Sequence, residues 1–139
     1  MGSRRKSREL ALQMLFQLDT NKDRSGWRAL FWTLHPAEPE IRAFSERLLD
    51  GVMTHQEEID RLIQKHATNW KISRMPVVDR NILRCAVFEL LHEKDVPASV
   101  VIDEAIEIAK RFSDENAGAF VNGVLDHIVK EVSLVQGDA

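Results

Sequence analysis

The sequence predicts an all-α protein, and three observations carry that expectation. Apolar residues recur at steps of three and four along nearly the whole chain, which stacks them on one face of a helix. Only 6 glycines and 4 prolines occur in 139 residues, so loops should be few and short. No segment alternates apolar and polar residues as a half-buried strand does; Val100-Val101-Ile102 is β-branched but runs straight into helix-favouring residues. A chain of this length can bury roughly two-thirds of its unfolded surface. With 44% apolar and 29% charged residues it has the composition of a globular protein. We therefore expect a single domain over 1–139 with about seven helices, divided into an N-terminal half of about 1–70 and a C-terminal half of about 71–135.

The elements follow in order. Residues 5–19 place Leu10, Met14, Leu15 and Leu18 on one stripe, widened by Ala11, Leu12 and Phe16; a helix apolar on so many sides should be central. Asn21 to Gly26 reads as a turn, and Trp27 to Leu34 as a short helix closed by Pro36 and Pro39. From Glu40 a stripe of Ile41, Phe44, Leu48 and Val52, then Ile59, Leu62 and Ile63, continues to about His66, and Gly51 leaves open whether this is one helix or two. Thr68 to Pro76 is the connector between the halves. A helix with Ile82, Leu83, Ala86, Val87 and Leu90 inward follows, with Asp79 in its N-cap region. After Asp95–Pro97 the next helix begins at Val100 or Val101. It should turn Ile102, Ala105, Ile106, Ala109 and Phe112 inward and Glu104, Glu107, Lys110 and Arg111 outward. Ser113 to Gly118 reads as a polar loop before a last helix carrying Val121, Val124, Leu125, Ile128 and Val132, in which Gly123 should be a close-packing position.

Charge and cysteine content narrow the function. The net charge is −3, but Arg4, Arg5, Lys6 and Arg8 give the first eight residues +4, which leaves the rest of the chain at −7. An acidic body with one basic arm suggests a localised contact with phosphate or an acidic surface, not general polyanion binding. The single cysteine, Cys85, sits among apolar residues as a small core residue; it fits a reducing, cytoplasmic setting and excludes an internal disulfide framework. No apolar run is long enough to span a bilayer. The basic start, followed by Glu9, Gln13 and Gln17, does not read as a secretory signal.

A search for catalysis returns little. The five histidines form no HExxH pattern and no cysteine pair accompanies them, so no metal site is expected. There is no phosphate-cradling glycine loop and no nucleophile elbow. Asp103, Glu104 and Glu107 read as a solvated helix face. We expect no catalytic residue and no cofactor. The basic arm is the informative feature, because cations at a helix N-terminus oppose the helix dipole until an anion binds there. Phe120 has two readings, a core residue beside Val124 or a platform on which an unstacked base sits. Phe16 has the same two readings with core favoured, and Trp27, Trp32 and Trp70 read as inter-helix anchors, one of them open to a partner.

Three segments together resemble the transcription antitermination factor NusB family. They are Arg4-Arg5-Lys6-Ser7-Arg8-Glu9-Leu10-Ala11 with Gln13-Met14-Leu15-Phe16; Val78-Asp79-Arg80-Asn81-Ile82-Leu83-Arg84 continuing to Glu89-Leu90; and the run PASVVIDEAIEIAK from Pro97 to Lys110 with Phe120-Val121-Asn122-Gly123-Val124-Leu125-Asp126. The resemblance implies two small helical bundles packed together and a non-enzymatic protein. It implies binding of the boxA element of nascent ribosomal RNA together with NusE, a ribosomal protein, within an RNA polymerase antitermination complex. Carried over by position, Arg4, Arg5, Lys6 and Arg8 would hold phosphates, Phe120 would stack on a base, and Lys110 would lie nearby. Phe16 and Asp79 would meet the partner protein. Phe16 stands where the family often has tyrosine, so any hydroxyl contact there is lost; as a plain alternative, Asp79 would be a helix cap.

Two other functions stay open at this level. Helical domains of this kind also accompany ribosomal RNA cytosine methyltransferases, although this chain has no glycine-rich strand-turn-helix segment to bind a cofactor. The chain could instead be a protein-interaction module whose arm meets an acidic partner. An apolar helix face could also make it a homodimer.

Overall fold

The computed structural model describes residues 2–20 and 25–135, with side chains over 3–20 and 25–133. The turn expected at Asn21 to Gly26 lies mostly outside the described residues. Six α-helices occur among the described residues: α1 (Gly2–Thr20), α2 (Trp27–Leu34), α3 (Pro39–His66), α4 (Val77–His92), α5 (Ala98–Phe112) and α6 (Glu115–Val135). A single 3-10 turn, Ile72–Arg74, lies in the connector, and no strand occurs among the described residues.

Helix boundaries follow local chemistry. Gly26, at φ +68°, takes the left-handed conformation that starts α2, one that a side chain would disfavour. Pro39 opens α3 with its φ already helical, Glu40 faces the positive end of the helix dipole, and Lys65 and His66 face the negative end. Pro76 and Pro97 stand immediately before α4 and α5. α5 therefore begins at Ala98, earlier than Val100. The expected polar loop shrinks to Ser113 and Asp114, because Asp114 Oδ1 accepts the Ala117 N–H at 2.8 Å and caps α6.

Gly51 does not break α3. A Cβ at Gly51 would clash with the edge of the Phe88 ring, so the glycine is where α4 presses an aromatic side chain against the α3 backbone. The helix departs from regular geometry one turn later, at His55 (φ −109°, ψ 18°). Gly123, by contrast, is exposed with open space where a Cβ would stand, which corrects its reading as a packing position.

α4, and not α1, is the central helix. It packs on α1 and α3 on one side and on α5 and α6 on the other. The sequence hides this because α4 carries polar residues all round, yet Asp79, Asn81, Arg84 and Glu89 are buried with its apolar ones. Most of them are satisfied by other helices. Arg84 makes a bidentate pair with Asp60 of α3 at 2.9 and 3.0 Å. Asp19 of α1 accepts from Arg80 at 3.0 Å, from Asn81 at 3.0 Å and from Arg84 at 3.2 Å. Buried charges in this number must be paired to be tolerated, so these contacts fix the register of α1 and α3 on α4. The apolar core is continuous around them, from Leu10 and Met14 through Leu48, Ile59 and Leu83 to Leu125 and Ile128.

Candidate functional site

The basic arm is the first turns of α1, helical from Gly2, and its four cations have different surroundings. Arg8 is 7% exposed, and its Nε and Nη2 donate to the two carboxylate oxygens of Glu89 at 2.8 and 2.9 Å. Arg8 is thus a buried structural ion pair and not a free phosphate ligand, a correction forced by burial. Arg5 donates twice to Glu104 of α5, at 3.0 and 2.7 Å, and Glu104 also lies 3.7 Å from Arg8. The hydrogen bond and charge of Glu104 push the Arg5 guanidinium up, and Arg5 in turn holds the Glu104 carboxyl below the usual carboxylate range. Glu104 is therefore part of the arm's structure, not of a solvated face.

Arg4 and Lys6 are exposed. The Arg4 guanidinium lies over the Phe44 ring, 3.8 Å from its centroid, a cation–π contact that leaves Arg4 exposed. Arg4, Arg5 and Arg8 line one wall of a groove of about 480 Å³, facing Val96, Val100, Asp103 and Glu104.

The other end of α1 is apolar. Phe16 is 42% exposed and borders a second groove, of about 490 Å³, with Leu12, Phe31, Val78 and Phe112. Phe112 is 38% exposed, so it lies in this groove and not in the core, while Ile102 and Ile106 are half-buried. Asp79 follows Val78 at the groove's edge but is itself buried. Pro76 holds the N-cap position of α4, which excludes the plain cap reading of Asp79. Burial pushes the Asp79 carboxyl up, a hydrogen bond with Ser113 opposes the rise, and Asp79 Oδ1 has no hydrogen-bond partner among the described residues. Such an oxygen is a costly feature unless something else reaches it.

Phe120 lies in the second turn of α6, half-buried on the edge of the core. Its ring meets Trp70 edge to face, with centroids 6.2 Å apart. Trp70 is 51% exposed and is the open tryptophan; Trp32 is buried and donates its indole N–H to Glu46 at 2.7 Å. Lys110 is exposed and its stem lies against Gly118, two residues before Phe120. The structure thus brings Arg4, Arg5 and Arg8 together, and Phe120 with Trp70. Lys110 borders the start of α6, and Phe16 lines the second groove, with Asp79 buried next to the lining residue Val78. Sequence reading missed Trp70 as Phe120's partner, because the two are fifty residues apart. It also missed Glu89 and Glu104, which looked like any helix-face acids. Cys85 is buried, and burial pushes its thiol up to about 12, so it is an unreactive core residue.

No helix among the described residues is long and apolar enough to cross a membrane. A small helical protein with an exposed basic helix start, an exposed tryptophan against a half-buried phenylalanine, and an apolar groove defines a binding protein with two contact regions. The NusB family model matches residues 5–130, and the chain belongs to the NusB family. It is 44% identical to the transcription antitermination protein NusB of Sorangium cellulosum, over 99% of each chain. Among solved structures, the NusB of T. maritima superimposes with a TM-score of 0.83 at 41% identity, covering 92% of this chain and 91% of that one. The antitermination factors NusB and NusE in complex with double-stranded RNA give a TM-score of 0.83 at 32% identity, covering 94% of this chain and 98% of that one. Family membership makes the protein a transcription antitermination factor, not an enzyme.

Proposed function

We propose that the protein binds the boxA element of nascent ribosomal RNA transcripts together with the ribosomal protein NusE. It would act in the cytoplasm, within an RNA polymerase antitermination complex. The observation that carries this reading is the pair Arg4 and Lys6, exposed on the first two turns of α1. Cations there are unfavourable by about 0.3–1 kcal/mol each in the free helix, and a bound phosphate reverses the sign. Arg5 joins them when phosphate competes with Glu104, and Arg8 keeps its structural role. Phe120 and Trp70 offer ring faces to an unstacked base, with Lys110 adding charge beside them. The Phe16 groove suits a partner that brings an apolar side chain, and a donor from that partner would satisfy the Asp79 oxygen only if the segment around Val78 opened to admit it.

The test is fluorescence anisotropy with a short boxA-like strand, with and without NusE, at two salt concentrations. Expected is tighter, sequence-selective binding with NusE and a steep loss at high salt. Equal affinity for a scrambled strand under all conditions would sink the boxA reading. If the groove serves self-association instead, the protein sediments as a homodimer that NusE does not dissociate.

A further inference from the structure

We propose that His55, Glu58 and His92 form a Zn²⁺ site that ties α3 to α4, built from none of the residues of the RNA and partner regions. Three potential ligand atoms, two imidazole nitrogens and a carboxylate oxygen, lie within 4.8 Å of one another. His55 Nδ1 is 3.7 Å and His92 Nε2 is 3.6 Å from the same oxygen, Glu58 Oε1. A charge-assisted hydrogen bond would draw such atoms to about 2.7–2.9 Å. Ligands held about 2.0–2.1 Å from a tetrahedral zinc ion stand about 3.3 Å apart, a few tenths of an ångström less than the two His–Glu separations. The two His–Glu edges are therefore too wide for direct hydrogen bonds and would need to close only slightly around an ion.

The fold accounts for the convergence. Gly51 admits the Phe88 ring against α3, and one turn later α3 leaves helical geometry at the ligand His55 itself. The His55 ring then stacks on His92 with centroids 4.1 Å apart, and Phe88 backs both, 6.3 Å from His55 and 5.3 Å from His92. Side-chain exposures of 37%, 51% and 34% for His55, Glu58 and His92 let an ion enter without unfolding. Two imidazoles and one carboxylate suit zinc and not magnesium or calcium, and three protein ligands leave a position for water.

A second histidine cluster supplies the contrast. His66 Nε2 lies 2.8 Å from Glu131, which also binds Lys65 at 2.9 Å, so that group is already satisfied. Spacing along the chain concealed the first cluster, because His92 comes from another helix.

The experiment is calorimetric titration of tag-free, full-length protein with Zn²⁺, with Co²⁺ absorption as a second readout of coordination. Expected are one ion per chain, a tetrahedral Co²⁺ spectrum and a Tm that rises with zinc. His92→Ala should weaken binding at least about tenfold and abolish the Tm shift. Glu58→Gln, at an exposed position, should weaken it without disturbing the fold, and His66→Ala should leave it unchanged. No binding at millimolar zinc overturns the proposal. So does binding that survives in both His92→Ala and Glu58→Gln or is lost in His66→Ala.

Discussion

The two ends of α1 face solvent with opposite chemistry, and they show how one helix carries two kinds of contact. At the N-terminal end the fold divides four cations by burial. Arg8, which points inward, is locked to Glu89; Arg5, half-buried, is held by Glu104; Arg4 and Lys6 stay exposed. At the C-terminal end the helix leaves Phe16 exposed above Phe31 and Phe112. Charge density in sequence therefore overstates the charge available to a ligand, whereas apolar periodicity understates the apolar surface that remains open.

The comparison breaks most severely at Arg8. Arg8→Ala leaves Glu89 charged and unpaired in the core and should destabilise the protein by about 3–5 kcal/mol, read by urea unfolding. The double variant Arg8→Met with Glu89→Leu should recover most of that loss, because a buried pair is often replaceable by apolar side chains. A surface-like cost for the single variant, below about 0.5 kcal/mol, would return Arg8 to the list of free cations.

At the other end, Phe16→Ala should cost about 2 kcal/mol or more of NusE affinity, measured by calorimetry, with urea stability changed by less than about 1 kcal/mol. RNA affinity without NusE should not change, which separates the two ends. Arg4→Ala and Lys6→Ala should do the reverse. Each should lower the slope of log affinity against log salt by about 0.7 for single-stranded RNA and leave NusE binding intact.

Helix positions were legible in the sequence because apolar spacing and prolines mark them, as at Pro39, Pro76 and Pro97. The arm was legible in the charge of residues 4–8 and Phe16 in the apolar stripe of the first helix, while the roles assigned to them rest on the family resemblance. What escaped was anything decided between distant segments. Glu89 and Glu104 take Arg8 and Arg5 out of the cationic surface from more than eighty residues away. Asp114, not Asp79, turned out to cap a helix. The centrality of α4 was hidden by its polar residues, whose partners lie on α1 and α3. Periodicity records which residues are apolar; it does not record which polar residues find one another.

The smallest expected effect sharpens the comparison at Arg5. Arg5 holds the Glu104 carboxyl below its ordinary value of 4.5, so the folded state favours ionised Glu104. The stability this pair contributes is thus present above about pH 4.5 and is lost as pH falls through the lower folded value. Arg5 is 43% exposed, so solvent screening limits the contribution to under about 1 kcal/mol. Glu104→Gln should lower stability by that amount at pH 7 and by progressively less as pH falls below 4.5, which paired urea titrations would reveal. The same variant releases Arg5 while leaving Arg8 on Glu89. Its RNA affinity at pH 7 should rise and its salt slope should steepen by about 0.7. An unchanged slope would place Arg5 outside the RNA contact and confine phosphate binding to Arg4 and Lys6.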